Sequence, residues 1–238
     1  IPFAGGMCEL PKIMARTLVV NDLHRHIINL AIVVRDDREA LQARLNGMIV
    51  HPAELAGAQA ACVLREHGEY QGRDSMLDWA TDYFICSWMA RSATAGTDKE
   101  FDAGLALRWE AGGGDSAVRF YNAAKELTTW QEIMRRCTFS TLDVFAFLEK
   151  VKDRTGHGVY CDPPFPVVGD KYKHKFDEAA HRKLATKLGL FEKCRIVCRF
   201  YRVPLIEELY PETLWKWTDL EGRKQSNASA PEVLLVKN

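Results

Sequence analysis

The 238-residue chain has no run of apolar residues near the roughly 18 to 20 that a membrane span needs. Ile1-Pro2-Phe3 carries no charged start and no cleavage site, so no secretory signal is expected at this opening. It has no net charge, since 32 Lys and Arg offset 32 Asp and Glu, which excludes a polycation that holds nucleic acid by bulk charge alone. It has no internal repeat. It has no even set of cysteines: Cys8, Cys62, Cys86, Cys137, Cys161, Cys194 and Cys198 are seven, scattered through apolar surroundings. That pattern reads as reduced thiols rather than a disulfide framework. Cys194 and Cys198 lie four apart on a strand-like stretch, which reads as two buried small hydrophobes rather than a zinc site. The sequon Asn227-Ala228-Ser229 reads as accidental, and no metal is expected.

What is present is a core and an α/β grammar. Hydrophobic residues make up 47%, enough for one large domain or one domain with an insert. Ile1 to Gly6 looks like a strand leaving into a Gly turn, with no strand before it, so upstream residues are expected to be missing. Thr17 to Asp22 is a short strand ending in an acid. Leu23, Ile27, Leu30, Ala31 and Val34 recur at helical spacing, and a second helix runs from Asp36-Asp37 to Gly47. Strand, turn, strand, helix is the order of an α/β sheet.

From Gly68 to Arg136 the character changes. Gly and polar residues rise, and aromatics interleave with arginines, which reads as an insert with long loops of its own. Phe120, Ala123, Ala124, Leu127, Trp130 and Met134 form a helical stripe there. The α/β pattern then resumes. Strands are expected at Cys137–Leu142, Gly158–Cys161, Arg195–Tyr201 and Ala230–Val236. Phe145, Leu148 and Val151 make a helical face, and a helix runs from Asp177 to Gly189.

Two sites carry chemistry. Asp162-Pro163-Pro164-Phe165 closes a strand. The two prolines stop the sheet and remove competing N–H donors. An acid, a carbonyl and an aromatic ring are thus offered together at the end of the sheet where α/β proteins bind ligands. Asp162 and the Pro163 carbonyl can accept the two protons of an exocyclic amine, with Phe165 stacked on its ring. A plain turn, with Asp162 capping the next element, is an equal reading of the tetrapeptide alone. The Gly turn Phe3-Ala4-Gly5-Gly6, followed by Asp22 at the next strand's end, points to a nucleoside-containing cofactor. It does not separate a dinucleotide from other adenosyl cofactors, and Asp22 also serves as an N-cap.

In this order the motifs resemble the Dam-like, D12-class N6-adenine DNA methyltransferases. Pro2-Phe3-Ala4-Gly5-Gly6 is similar to that family's S-adenosylmethionine-binding Gly motif. Asn21-Asp22 is similar to its second motif, and Asp162 to Phe165 to its catalytic motif. Gly169, Tyr172, Phe176, His181 and Leu184 follow its downstream spacing, and Pro231 to Val236 its closing strand. The chain departs from the family in Met7, where a third Gly is usual, and in a motif expected before the Gly turn.

The resemblance implies a Rossmann-like class I methyltransferase sheet with helices on both faces and a target-recognition insert. Its divisions are a cofactor half over 1–67, an insert over 68–136 and a catalytic half over 137–238. It implies methyl transfer from S-adenosylmethionine to N6 of a flipped-out adenine in DNA, catalysed by Asp162, Pro163, Pro164 and Phe165. The cofactor would be held by Pro2, Phe3, Ala4, Gly5, Gly6, Asn21, Asp22 and Asp143. Asp143 reads equally as a helix-start acid. Tyr172, Arg91, Arg108, Arg119, Lys171 and Lys173 are the candidate DNA contacts. His181 reads as structural. The resemblance also implies a monomer or weak dimer in a bacterial or phage cytoplasm, with no membrane partner. An Asp before the prolines favours adenine. Cytosine N4, an RNA adenine and an inactive nucleic-acid-binding subunit are the alternatives.

Charge is segregated along the chain. Lys171 to Arg202 holds ten bases and three acids, whereas Val203 to Glu221 holds five acids and one base. A basic surface beside the catalytic motif is the expectation, against a solvated helix face.

Overall fold

The computed structural model describes residues 1–71, 75–90, 97, 99–105, 115–166, 173–223 and 229–237, without side chains for 221–223 and 229–230. These residues form a mixed α/β structure. In chain order the elements are β1 (Leu18–Asn21), α1 (Arg25–Asp36), α2 (Arg38–Gly47), α3 (Pro52–His67), α4 (Met76–Met89), α5 (Ser116–Met134) and β2 (Cys137–Ser140). Then come α6 (Val144–Lys150), β3 (Gly158–Cys161), α7 (Glu178–Gly189), β4 (Arg195–Tyr201), α8 (Pro204–Leu209), β5 (Lys216–Arg223) and β6 (Ser229–Lys237). A single helical turn, Leu10–Lys12, precedes β1. Among the described residues the sheets are small: β1 with β2, and a four-stranded sheet in the order β3-β4-β6-β5. No helix among them is long and apolar enough to cross a membrane.

The chain folds as two compact units. One comprises Ile1–Gly5, Val20–Leu23 and Ser140–Asn238; the other comprises Gly6–Val19 and His24–Phe139. These boundaries differ from the sequence divisions at 67/68 and 136/137. Helices α1 to α5 all belong to one unit, because packing rather than composition joins them.

In that helical unit, α1 packs on α4 and α5, α3 on α4, and α2 on α5. Its interior holds Leu41, Leu45, Leu55, Phe84, Met89 and Phe120. Phe84 and Phe120 meet edge to face at 5.5 Å. The stretch expected as an insert with long loops contains α4, which was not expected, and α5, which carries the expected stripe from Phe120 to Met134. Each starts with a side-chain cap: Ser75 accepts from the Asp78 N–H, and Asp115 from those of Ala117 and Val118. Helix α4 buries Ala80, Thr81, Tyr83, Phe84, Ile85 and Cys86, faces all round, so no single apolar stripe marks it.

In the other unit, β3 runs parallel to β4, with Cys161 opposite Cys198. The last strand, β6, lies between β4 and β5 and is antiparallel to both. Along β4, Ile196, Cys198 and Phe200 are buried, alternating with Arg195, Val197, Arg199 and Tyr201. That period of two turns one sheet face to a core shared with Phe147 and Leu148 of α6 and Leu184 and Leu188 of α7. The opposite face keeps the polar residues. None of the seven cysteines is in a disulfide, and six of them are buried.

Candidate functional site

The Gly turn is held by the acid after β1. Asp22 Oδ2 accepts hydrogen bonds from the backbone N–H groups of Ala4 at 3.0 Å and Gly5 at 2.8 Å. Gly5 has a positive φ of 46°, and a Cβ there would meet nothing within 4 Å, so the turn faces open space. Gly6 is exposed and Pro2 buried. Met7, in the place of the usual third Gly, also has a positive φ, 58°, with its side chain buried.

Asn21 is a joint. It is 1% exposed, and its amide makes four hydrogen bonds. Nδ2 donates to the carbonyls of Pro2 at 3.2 Å and Leu142 at 2.9 Å. Oδ1 accepts from Ser140 Oγ and the Leu142 N–H, both at 2.8 Å. Two donations and two acceptances fill an amide's capacity. Asn21 therefore sets the position of Asp22 and the Gly turn, and its side chain is not offered to a cofactor. Asp143 is likewise engaged as the cap of α6, accepting from the N–H groups of Phe145 at 2.9 Å and Ala146 at 3.4 Å.

Asp162 leaves the end of β3 half-buried; Pro163 is buried, and Pro164 and Phe165 are half-buried. The Phe165 ring lies 4.5 Å from that of Tyr201. Asp162 Oδ2 lies 3.5 Å from Arg199 Nη1. Beneath the motif His181, 1% exposed, faces the Pro164 carbonyl, though neither ring nitrogen makes a well-formed hydrogen bond. Burial pulls its pKa down to about 4, with Asp177 opposing, so the ring is neutral at pH 7.

Aromatic contacts carry the Gly turn to this motif. Phe3 meets Phe176 edge to face at 5.5 Å, and Phe176 meets His181 at 4.7 Å. Phe145 stacks on Phe176 at 6.4 Å and lies under Lys183 Nζ at 3.9 Å. The two motifs, with Phe3 and Asp162 lying 159 positions apart in the sequence, thus belong to one packed cluster around Phe176 and His181.

The candidate DNA contacts fare differently. Arg91, Arg108, Lys171 and Tyr172 lie outside the described residues, as does Gly169. Lys173 is half-buried on the approach to α7. Arg119 is committed within its unit: Nη2 donates to the carbonyls of Trp88 at 2.9 Å and Ala90 at 2.8 Å, bracing the end of α4.

Part of the basic stretch is paired with acids in the fold. Arg182 pairs with Glu178 and with Glu208, the latter at 2.6 Å. Arg202 pairs with Glu207 at 2.9 Å, Asp219 at 3.3 Å and Glu212 at 3.9 Å. Lys187 reaches Glu149 at 3.3 Å. Four of the acids that follow in sequence fold back onto Arg182 and Arg202, so charge segregated along the chain is partly mixed in the fold. Among the described residues no cluster of His, Cys, Asp and Glu could hold a metal.

Sequence reasoning missed Arg199, Tyr201 and Glu232 as neighbours of the motif. The signal was the alternation along β4, which sets Arg199 and Tyr201 on the face opposite Ile196, Cys198 and Phe200. Compared with models of known protein families the chain matches none, and no curated protein matches it.

Proposed function

We propose that this chain is an S-adenosylmethionine-dependent methyltransferase acting on N6 of adenine in DNA. The observation that carries the reading is the joining of the Asp22-held Gly turn and the Asp162 to Phe165 motif by one aromatic cluster. A Rossmann-like sheet with an inserted recognition region is the architecture that goes with it.

The residues suit the cofactor. Asp22 takes the N–H groups of Ala4 and Gly5, so those amides offer no place for a phosphate. S-adenosylmethionine has none. The open face of Gly5 and Gly6 and the acid beside it would hold its adenosyl part, and its sulfonium supplies the electrophilic methyl. The rest is done by the chain. Adenine N6 is a poor nucleophile because its lone pair is delocalised into the ring. Asp162 and the Pro163 carbonyl each accept one amine proton, which favours a pyramidal nitrogen and directs its lone pair. Asp162 stabilises the positive charge developing there, and a charged hydrogen bond of this kind is worth about 1.5 to 3 kcal/mol. Phe165, backed by Tyr201, stacks on a base that must first leave the duplex. DNA as partner and a cytoplasmic setting belong to this reading.

The test is expression in a methylation-free host, with sequencing of modified bases in its DNA. N6-methyladenine at a fixed sequence is expected, and its loss in Asp162→Ala with cofactor binding intact. Unmodified DNA from the unaltered chain, or unchanged methylation in Asp162→Ala, overturns the reading. N4-methylcytosine or modified RNA would replace the substrate.

A further inference from the structure

Three adjacent strands deliver three charged side chains to one face of the four-stranded sheet. Parallel register sets Cys161 beside Cys198, and one step further along both strands sets Asp162 beside Arg199. Antiparallel register sets Arg199 opposite Leu234 and Tyr201 opposite Glu232. Glu232 is thus the diagonal neighbour of Arg199, within reach of a long side chain.

Arg199 spans both acids unequally. Its Nε and Nη2 donate to Glu232 Oε2 at 3.1 and 2.6 Å. Its Nη1 reaches Asp162 Oδ2 only at 3.5 Å. The Glu232 side chain is 12% exposed, against 27% for the other two, so the tighter pair is also the drier one. Tyr160 on β3 lies near the same guanidinium, and Cys198 lies near Asp162 as a thiol whose ionisation burial suppresses.

We propose that Arg199 and Glu232 are positioning residues for Asp162: Glu232 draws the guanidinium aside, and the longer Nη1 contact to Asp162 steadies its carboxylate at the strand end. The inference rests on the reading of Asp162 as the acceptor of a substrate amine proton. A carboxylate locked in a bidentate pair with arginine has both oxygens committed and its charge compensated. It would stabilise positive charge on a nitrogen poorly. A carboxylate with no such partner loses its fixed orientation. The short contact to Glu232 and the long one to Asp162 serve both needs.

The full chain, labelled with carboxyl-¹³C aspartate, tests this directly. Asp162 is assigned by the signal lost in Asp162→Asn, and its titration is followed by NMR. In Glu232→Gln the guanidinium loses its rival, and the Asp162 midpoint is expected to fall by roughly half a unit or more. In Arg199→Gln it is expected to rise by at least as much, with Arg199→Lys partly restoring it. Single-turnover methyl transfer in Glu232→Gln is expected to slow roughly tenfold with cofactor affinity unchanged, a split that a merely structural role would not give. An Asp162 midpoint that stays in place in both Glu232→Gln and Arg199→Lys, or moves the other way, overturns the proposal whatever the activity. Midpoints that move as expected in a chain that methylates nothing leave this relay standing and remove the proposed function.

Discussion

The carboxylate of Asp22 and the backbone N–H of Gly5 are 2.8 Å apart, and the same oxygen takes the Ala4 N–H at 3.0 Å. An acid at one strand end thus sets the shape of a turn seventeen residues earlier.

Asp22→Ala removes both acceptances, and Asp22→Asn keeps an oxygen that can make them without the charge. Each charged hydrogen bond is worth about 1.5 to 3 kcal/mol. Calorimetry is expected to show S-adenosylmethionine affinity lowered roughly tenfold or more in the alanine variant and less in the asparagine variant. Equal affinities in both would remove the role of Asp22.

His181 makes stability depend on pH. Its native pKa, about 4, lies below the ordinary 6.5, so between these values the unfolded chain takes up a proton that the native chain refuses. Stability is fully present above about pH 6.5 and falls as pH drops toward 4, by about 3 kcal/mol in all. Urea unfolding at pH 7 and pH 5 is expected to show a smaller loss in His181→Gln than in the unaltered chain. Parallel losses would contradict it.

In the helical unit, Glu100 is a buried acceptor shared by His24 at 2.8 Å and Tyr83 at 3.1 Å. Burial and the Glu100 charge hold the Tyr83 phenol well above its usual range, so it stays a donor. Glu100→Ala is expected to cost about 3 to 5 kcal/mol in chemical denaturation. Tyr83→Phe, which leaves the His24 pairing, is expected to cost about 1 kcal/mol.

Met7 combines a buried side chain with a left-handed backbone. Met7→Ala loses the packing and keeps the strain, at about 2 to 5 kcal/mol. Met7→Gly loses the packing but relieves about 1 to 2 kcal/mol of strain. The glycine variant is therefore expected to melt above the alanine variant, the reverse of the usual order.

Local signals were legible where one face of an element is buried. Gly158–Cys161 and Arg195–Tyr201 are strands at the residues read from their pattern, and Asp177 caps α7, accepting from the Ala180 N–H at 2.8 Å. Four elements were not legible. Helix α4 is buried on too many sides to show a stripe. Helix α3 has a broad Ala-rich face with only Leu55, Ala58, Cys62 and Arg65 buried. Helix α8 is six residues long, and β5 mixes charges with Trp217.

The amino-acid sequence alone determined the bounds of β3 and β4, the Asp177 cap of α7 and the order of the Gly turn, the acid and the Asp162 to Phe165 motif. These depend on neighbours a few residues away. The start of α1, by contrast, is capped by His24 and not by Asp22. Tertiary structure alone decided which side chains meet across the sheet: Arg199 between Asp162 and Glu232, Asn21 filled by Pro2, Ser140 and Leu142, and Arg202 among the acids that follow it. Those meetings depend on strand register and chain reversal between distant residues, which composition and spacing do not encode.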